Sequence, residues 1–293
     1  MTLLVLAGGI GSRFGGFKQL EPLGPNGEYL LEYSLYDAIK AGFKRVVFVI
    51  NDKIYELFKN SIGKKIEEHI EVVYIIDKEY DFLKNGNFNR VKPWGTGYAI
   101  MLAKRYIDGN FAIINADDFY GRDSYLKAYN FLEHNSYNEF GVIGFKADNA
   151  IPNGQFKRGV CVTKDNELLG INESYVNRNG NNINCKTLNG EMEYKLDLNA
   201  YVSMNMLLFT PKIFELLNAD FINFLNNIKN QNTDEFLIPI VFDKHLRNKE
   251  IVGRLIKTNS SWSGITYRED INCVKNFILE KITEGDYNYN LWE

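Results

Sequence analysis

The chain has 293 residues, 45% of them hydrophobic, enough for one large core or a core with a modest second lobe. Its 34 basic and 37 acidic residues leave a formal charge of -3, and no Lys/Arg run is long enough to follow a nucleic-acid backbone, which argues against nucleic acid as a partner. The opening apolar stretch meets glycines after about six residues, too short for a secretion signal or a membrane span. Cys161, Cys185 and Cys273 show no metal-ligand spacing, so they read as small buried or half-buried fillers in a reducing cytoplasm.

In chain order, "LLVLAGG" reads as a first strand and "YLLEYSLYDAIKAGF" as a helix with a glycine stop at Gly42. "RVVFVIN" and "IEVVYII" are strands two and three, "TGYAIMLAKRYI" is a helix and "NFAIINADD" a fourth strand. Continuous Val/Ile content suits strands covered on both faces, so residues 1–146 read as three-layer α/β with a mostly parallel, Rossmann-like sheet. From 147 the texture turns to Asn and Gly with short alternating runs, "GVCVT", a "KDNE" turn and "LLGINES". These predict antiparallel hairpins, a lobe or a sheet extension over the C-terminal ends of the parallel strands. "KIFELLNADFINFLNNI" and "DEFLIPIVFDKHL" are amphipathic helices, "EIVGRLIK" is a strand, and the tail from Glu269 is another helix. No internal repeat and no C-terminal hexapeptide domain is read, and the whole of 1–293 is expected to be one domain.

The loop "LAGGIGSRFGGFKQL" puts five glycines, one arginine and one lysine behind the first strand. A dinucleotide-binding G-x-G-x-x-G fails, because Phe14 stands where the third glycine belongs and no helix opens there. A P-loop fails as well, because Phe17 separates Gly16 from Lys18 and Gln19 replaces the hydroxyl residue. What remains is a broad loop whose backbone N–H groups wrap a polyphosphate, with Arg13 and Lys18 supplying charge. Charge-assisted contacts of this kind are worth roughly 1.5–3 kcal/mol each.

This stretch resembles the nucleotide-binding signature of the sugar-phosphate nucleotidyltransferases and their cytidylyltransferase relatives, L-A-[AG]-G-x-G-x-R followed by a lysine. Gly9, Gly11, Arg13 and Lys18 fall on its places, with Phe17 where a proline is usual. The resemblance runs on through "GPNGEYLLEYSLYDAIKAGF", "PWGTGYAI" and "NADDFYG", and implies the nucleotide-diphospho-sugar transferase fold, with a nucleotide half over 1–146 and an acceptor half over 147–293. It implies nucleotide contacts from Ala7, Gly8, Gly9, Gly11, Ser12, Arg13, Lys18 and Gln19, with Gly95 and Thr96 against the base. Arg13 and Lys18 carry the catalytic role.

A carboxylate at a strand's C-terminal end is where an open α/β sheet presents a metal ligand, and the resemblance puts the family's Mg2+ on Asp117, with Asp118 a weaker candidate. The relatives' second metal-binding aspartate aligns with Gly264 in "SSWSGITYRED"; Asp270, or Glu269, is the replacement candidate, although acidic residues are common at a helix start for dipole reasons. In the acceptor half the resemblance implies Glu173, without the usual following Lys-Pro, and Asn205. Lys186 and Lys195 read as solvated surface lysines or, second, as contacts to the acceptor phosphate, and Trp94 as a pocket wall or a packed aromatic. The implied reaction joins an NTP (UTP, CTP or dTTP) to a sugar 1-phosphate with loss of pyrophosphate. Left open are a CTP-dependent enzyme acting on phosphocholine or another phosphorylated alcohol or phosphonate, a glycosyltransferase (which would want an Asp-x-Asp spacer), and a catalytically silent nucleotide-binding regulator. A homo-oligomer is compatible with all of these.

Overall fold

The computed structural model describes residues 1–9, 14–77, 90 and 92–293. Strands β1 (Thr2–Ala7), β2 (Arg45–Ile50), β3 (Glu71–Ile76) and β4 (Phe111–Asn115) lie in the order β3-β2-β1-β4, all parallel, in register over their lengths. The hairpins of the second half do not form a separate sheet. After the short β5 (Asp118–Phe119) come β6 (Glu139–Lys146), β7 (Gly154–Lys164), β8 (Glu167–Asn179), β9 (Asn182–Thr187), β10 (Glu193–Leu196), β11 (Tyr201–Phe209) and β12 (Val252–Lys257). Strand β11 runs antiparallel beside β4, and the same sheet continues β6-β12-β8-β9-β10, with β7 bridging β11 and β8. Finally β13 (Ser263–Gly264) pairs with β5 outside the main sheet.

Side-chain alternation along β1 explains the layers. Leu3, Val5 and Ala7 enter one apolar cluster with Leu31, Leu35 and Ala38 of the helix Leu30–Ala41. Leu4 and the partly buried Leu6 enter another with Ile100, Phe214, Phe221 and Phe242 from the helices Thr96–Leu102, Lys212–Asn227 and Ile238–Arg247. Each fully buried aliphatic or aromatic side chain contributes about 1.5–3 kcal/mol. The helix Leu30–Ala41 starts where the Glu32 carboxylate accepts the Tyr29 N–H (3.0 Å) and stops at Gly42, whose φ of 112° favours glycine.

Three local readings change. The helix Asp52–Phe58 follows β2 without having been anticipated, capped by Asn51 accepting from Lys53 N. The segment expected to be helical from Asp234 turns helical only at Ile238, because Phe236 first binds the backbone of Trp94 (2.7 Å) and Gly97 (2.9 Å), and Pro239 is tolerated only in a first turn. The last helix, Asp270–Thr283, leaves Cys273 exposed rather than packed, while Cys161 is half-buried and Cys185 buried. No helix among the described residues is long and apolar enough to cross a membrane.

A third cluster builds the floor of the site. Phe14, Leu23, Leu30, Tyr33, Phe119, Ile265, Val274, Ile278, Tyr287 and Leu291 join the segment after the glycine loop to the C-terminal helix and tail. Tyr287 donates to Asp37 (2.6 Å) and Trp292 to Glu32 (2.9 Å), which straps the tail across the first helix.

Candidate active site

Adjacent parallel strands deliver the two candidate elements to one edge. In the parallel pairing of β1 and β4, Leu6 lies beside Asn115, so the glycine loop and the Asp117–Asp118 pair emerge side by side at the strands' C-terminal ends. Gly11, Ser12 and Arg13 lie outside the described residues; Ala7, Gly8 and Gly9 lead into the loop. The chain reappears at buried Phe14, where Arg268 donates from Nε to the Phe14 carbonyl (3.0 Å) and lies over its ring. Lys18 opens the 3-10 turn Lys18–Leu20, and its ammonium pairs with Asp117 and donates to Ile265 O (2.9 Å). Gln19 is buried, and its amide donates to the carbonyls of Ala7 and Gly9 (both 3.2 Å). The Gln19 amide is thus bonded to the backbone where the chain enters the loop.

Asp118 is more deeply set than its neighbour. Its Oδ2 accepts from Asn115 Nδ2 (2.9 Å) and from the Tyr120 hydroxyl (3.3 Å), which also lies 3.1 Å from Met204 O. Burial first, and the charge of Asp117 second, push its carboxyl up to about 7. Its backbone pairs with Gly264, and a Cβ at 264 would lie 2.5 Å from Asp118 Oδ1. The position aligned with the relatives' second aspartate thus faces Asp118 across a two-strand ladder, and the Asp118 carboxylate fills the space beside it. Asp270 Oδ2 accepts the amides of Thr266 (2.8 Å) and Tyr267 (2.7 Å) at the start of its helix. Asp117, Asp118 and Asp270 do not assemble into a three-carboxylate group among the described residues. Two hard carboxylates beside the glycine loop still suit Mg2+, which takes one or two protein carboxylates and completes its shell with other oxygen ligands and water.

Gly95 and Thr96 lie against the segment from Phe236 to Ile238. Gly95 has φ 107°, a Cβ on it would come 2.6 Å from Phe236 O, and the Thr96 hydroxyl accepts the Ile238 N–H (3.0 Å). Trp94 is buried among Tyr98, Phe221 and Phe224, so of the two readings of this residue packing is the one realised. Glu173 lies across Gly159, where a Cβ would meet its Oε1 at 2.8 Å, and burial raises its carboxyl. Asn205 sits at a bulge in β11 with φ 62°, a left-handed conformation that asparagine tolerates better than most residues. Lys186 is exposed and paired with Glu193 (2.7 Å).

Several groups had no signal in the sequence. Arg158 on β7 feels both Asp118 and Glu173. Asp77, just past β3, brings its carboxylate to 3.5 Å from where a Gly8 Cβ would be, and burial raises it to about 6. Neither follows from local spacing, because each reaches the site through sheet pairing.

Residues 3–81 match the MobA-like NTP transferase domain. The chain is 25% identical over 235 residues to the bifunctional protein GlmU of Methanococcus vannielii, covering 75% of this chain and 47% of that protein. The corresponding protein of Methanocaldococcus jannaschii is 26% identical over 235 residues, covering 75% and 46%, so the chain spans about half the length of the curated relatives it matches. Among solved structures, the fold is shared with the inositol-1-phosphate CTP transferase of T. maritima (TM-score 0.64, 18% identity, 97% of this chain and 96% of that one). It is shared too with a putative glucose-1-phosphate thymidylyltransferase of Bacillus anthracis (TM-score 0.63, 12% identity, 94% and 95%). The glycine loop thus falls within the stretch that matches an NTP transferase domain, and the chain shares the fold of solved nucleotidyltransferases.

Proposed function

We propose that this chain makes an NDP-sugar and pyrophosphate from an NTP, with a pyrimidine base favoured, and a sugar 1-phosphate. The observation that carries the reading is the meeting of Lys18, Asp117 and Ile265 between the glycine loop and the end of β4. A phosphate oxygen of the acceptor attacks the α-phosphorus, a new P–O bond forms, the bond to the β-phosphate breaks, and pyrophosphate leaves with the electron pair. The attacking phosphate is already anionic near neutral pH, so no side-chain nucleophile is required. The loop amides and Lys18 hold the triphosphate in line, and Arg13 is assigned the same task. Asp117 and Asp118 are the residues that would hold Mg2+, which when bound neutralises charge on the phosphate oxygens. The relatives' printed substrates, CTP with inositol 1-phosphate and a thymidylyl donor with glucose 1-phosphate, support pyrimidine nucleotides and cyclic polyol phosphates.

The test is pyrophosphate release with Mg2+, crossing UTP, CTP, dTTP, ATP and GTP against glucose 1-phosphate, N-acetylglucosamine 1-phosphate, inositol 1-phosphate and phosphocholine. A signal for one pair, abolished by EDTA, is the expected result. Silence across the panel despite measurable nucleotide binding would leave a nucleotide-binding regulator in its place.

A further inference from the structure

Between β7 to β10 and the segment at Thr266–Tyr267 lies a cavity of about 1230 Å³, edged by tyrosines and by Lys157, Lys186 and Lys195. Arg158 stands at its wall. The guanidinium carbon lies over two rings, 5.1 Å from the centroid of Phe156 and 4.9 Å from that of Trp262. One Nη donates to the Lys157 carbonyl (2.9 Å), but Nε is buried with no partner among the described residues, and so is the indole N–H of Trp262. Asp118 and Glu173 both act on its charge. Among the described residues neither comes within ion-pair distance. Two buried N–H donors without acceptors each carry an unrecovered desolvation cost, and such groups are rare unless a ligand or water answers them.

The ladder adds a second argument. Arg158 pairs with Ser174, and directly opposed residues of an antiparallel pair project from the same face of the sheet. Ser174 follows Glu173 and stands where the family resemblance places a lysine. The positive charge missing from β8 is therefore present on the same face, supplied from β7.

Resting on the nucleotidyl-transfer reading above, we propose that Arg158, carried by Trp262, is the anchor for the phosphate of the acceptor, and that the cavity between β7 and β10 houses the rest of that acceptor. A dianionic phosphate monoester answers the unpartnered donors and sits between Arg158 and the Asp117–Asp118 end of the site, on the side from which it must approach the α-phosphorus. The tyrosines and polar edge of the cavity suit a hydroxyl-rich ring.

The experiment compares wild type, Arg158→Gln and Arg158→Lys in steady-state pyrophosphate release with the best pair from the panel, varying each substrate in turn. Arg158→Gln is expected to raise the acceptor KM by roughly 10- to 100-fold while the NTP KM stays within about twofold, and Arg158→Lys, which keeps a charge but loses the fork, to fall between. Should Arg158→Gln fail to fold, Arg158→Lys carries the same comparison. An unchanged acceptor KM overturns the assignment, and so does a rise confined to the NTP KM, which would place Arg158 on the nucleotide. A wild type that neither turns over nor binds any of the four acceptors overturns the function itself and the anchor with it.

Discussion

Gly264→Ala probes the geometry of the site with a single methyl group. The added Cβ would lie 2.5 Å from Asp118 Oδ1 and 2.7 Å from Trp262 Cζ2, whereas ordinary contact begins at 3.4 Å. The carboxylate must retreat by 3.4 − 2.5 = 0.9 Å, or the indole by 3.4 − 2.7 = 0.7 Å. Neither is free to do so: Asp118 is tied to Asn115 and Tyr120, and the guanidinium of Arg158 lies over the Trp262 ring. Overpacking of this kind costs about 1–3 kcal/mol. With an unfolding entropy of roughly 0.6 kcal/mol/K for 293 residues, that lowers Tm by about 2–5 °C. Displacing a site carboxylate by about 1 Å costs on the order of 100-fold in turnover. The assays are thermal melting and pyrophosphate release against Mg2+ concentration, with Gly109→Ala as the control, since a Cβ there meets nothing within 4 Å. Wild-type turnover at wild-type Mg2+ in Gly264→Ala would refute the placement of Asp118 in the working site.

Lys18→Ala and Asp117→Asn should each lower kcat by about 100-fold or more while melting within a few degrees of wild type, checked by the same two assays. Gly95→Ala should destabilise by roughly 2–4 kcal/mol, combining a left-handed φ with contacts of 2.6 and 2.8 Å to immovable Phe236 backbone; an unchanged Tm with only a weaker NTP KM would mean that the glycine serves the base alone. Burial raises the Asp37 carboxyl to about 7, so the folded chain keeps a proton that the unfolded chain loses above about pH 4. The stability from this group is full below the unfolded value and declines as pH rises towards 7, with a slope of at most about 1.4 kcal/mol per pH unit. Asp37→Asn should flatten the fall in Tm between pH 5 and 8, and the remaining slope belongs in part to Asp118; an identical profile would count against the buried acid.

Local pattern made residues 1–146 legible. β1 to β4 announce themselves as short apolar runs, the helix Leu30–Ala41 as a helical stripe ending at Gly42, and the loop before Lys18 as glycine without a helix behind it. The second half was less legible because its organisation is non-local. Alternation predicted the β7–β8 hairpin, but nothing in residues 154–179 says that the pair would join the parallel sheet through β11 and β12. The displaced start of the helix Ile238–Arg247 has the same origin, since Phe236 just before it is drawn into hydrogen bonds with Trp94 and Gly97, more than a hundred positions earlier.

The site divides along the same line. Sequence alone determined which residues are chemically able to act: a glycine loop that can bend around phosphates, a lysine behind it and two adjacent carboxylates at a strand end. Only the tertiary structure decided how they combine. It bonded the Gln19 amide to the Ala7 carbonyl, set Asp118 opposite Gly264, bonded Asp270 to the Thr266 amide and brought Arg158 to the face of Ser174. The reason is physical: residue type and spacing govern what one segment can do, whereas a charge can stand on either strand of a ladder and reach the same point in space, and only the pairing chooses between them.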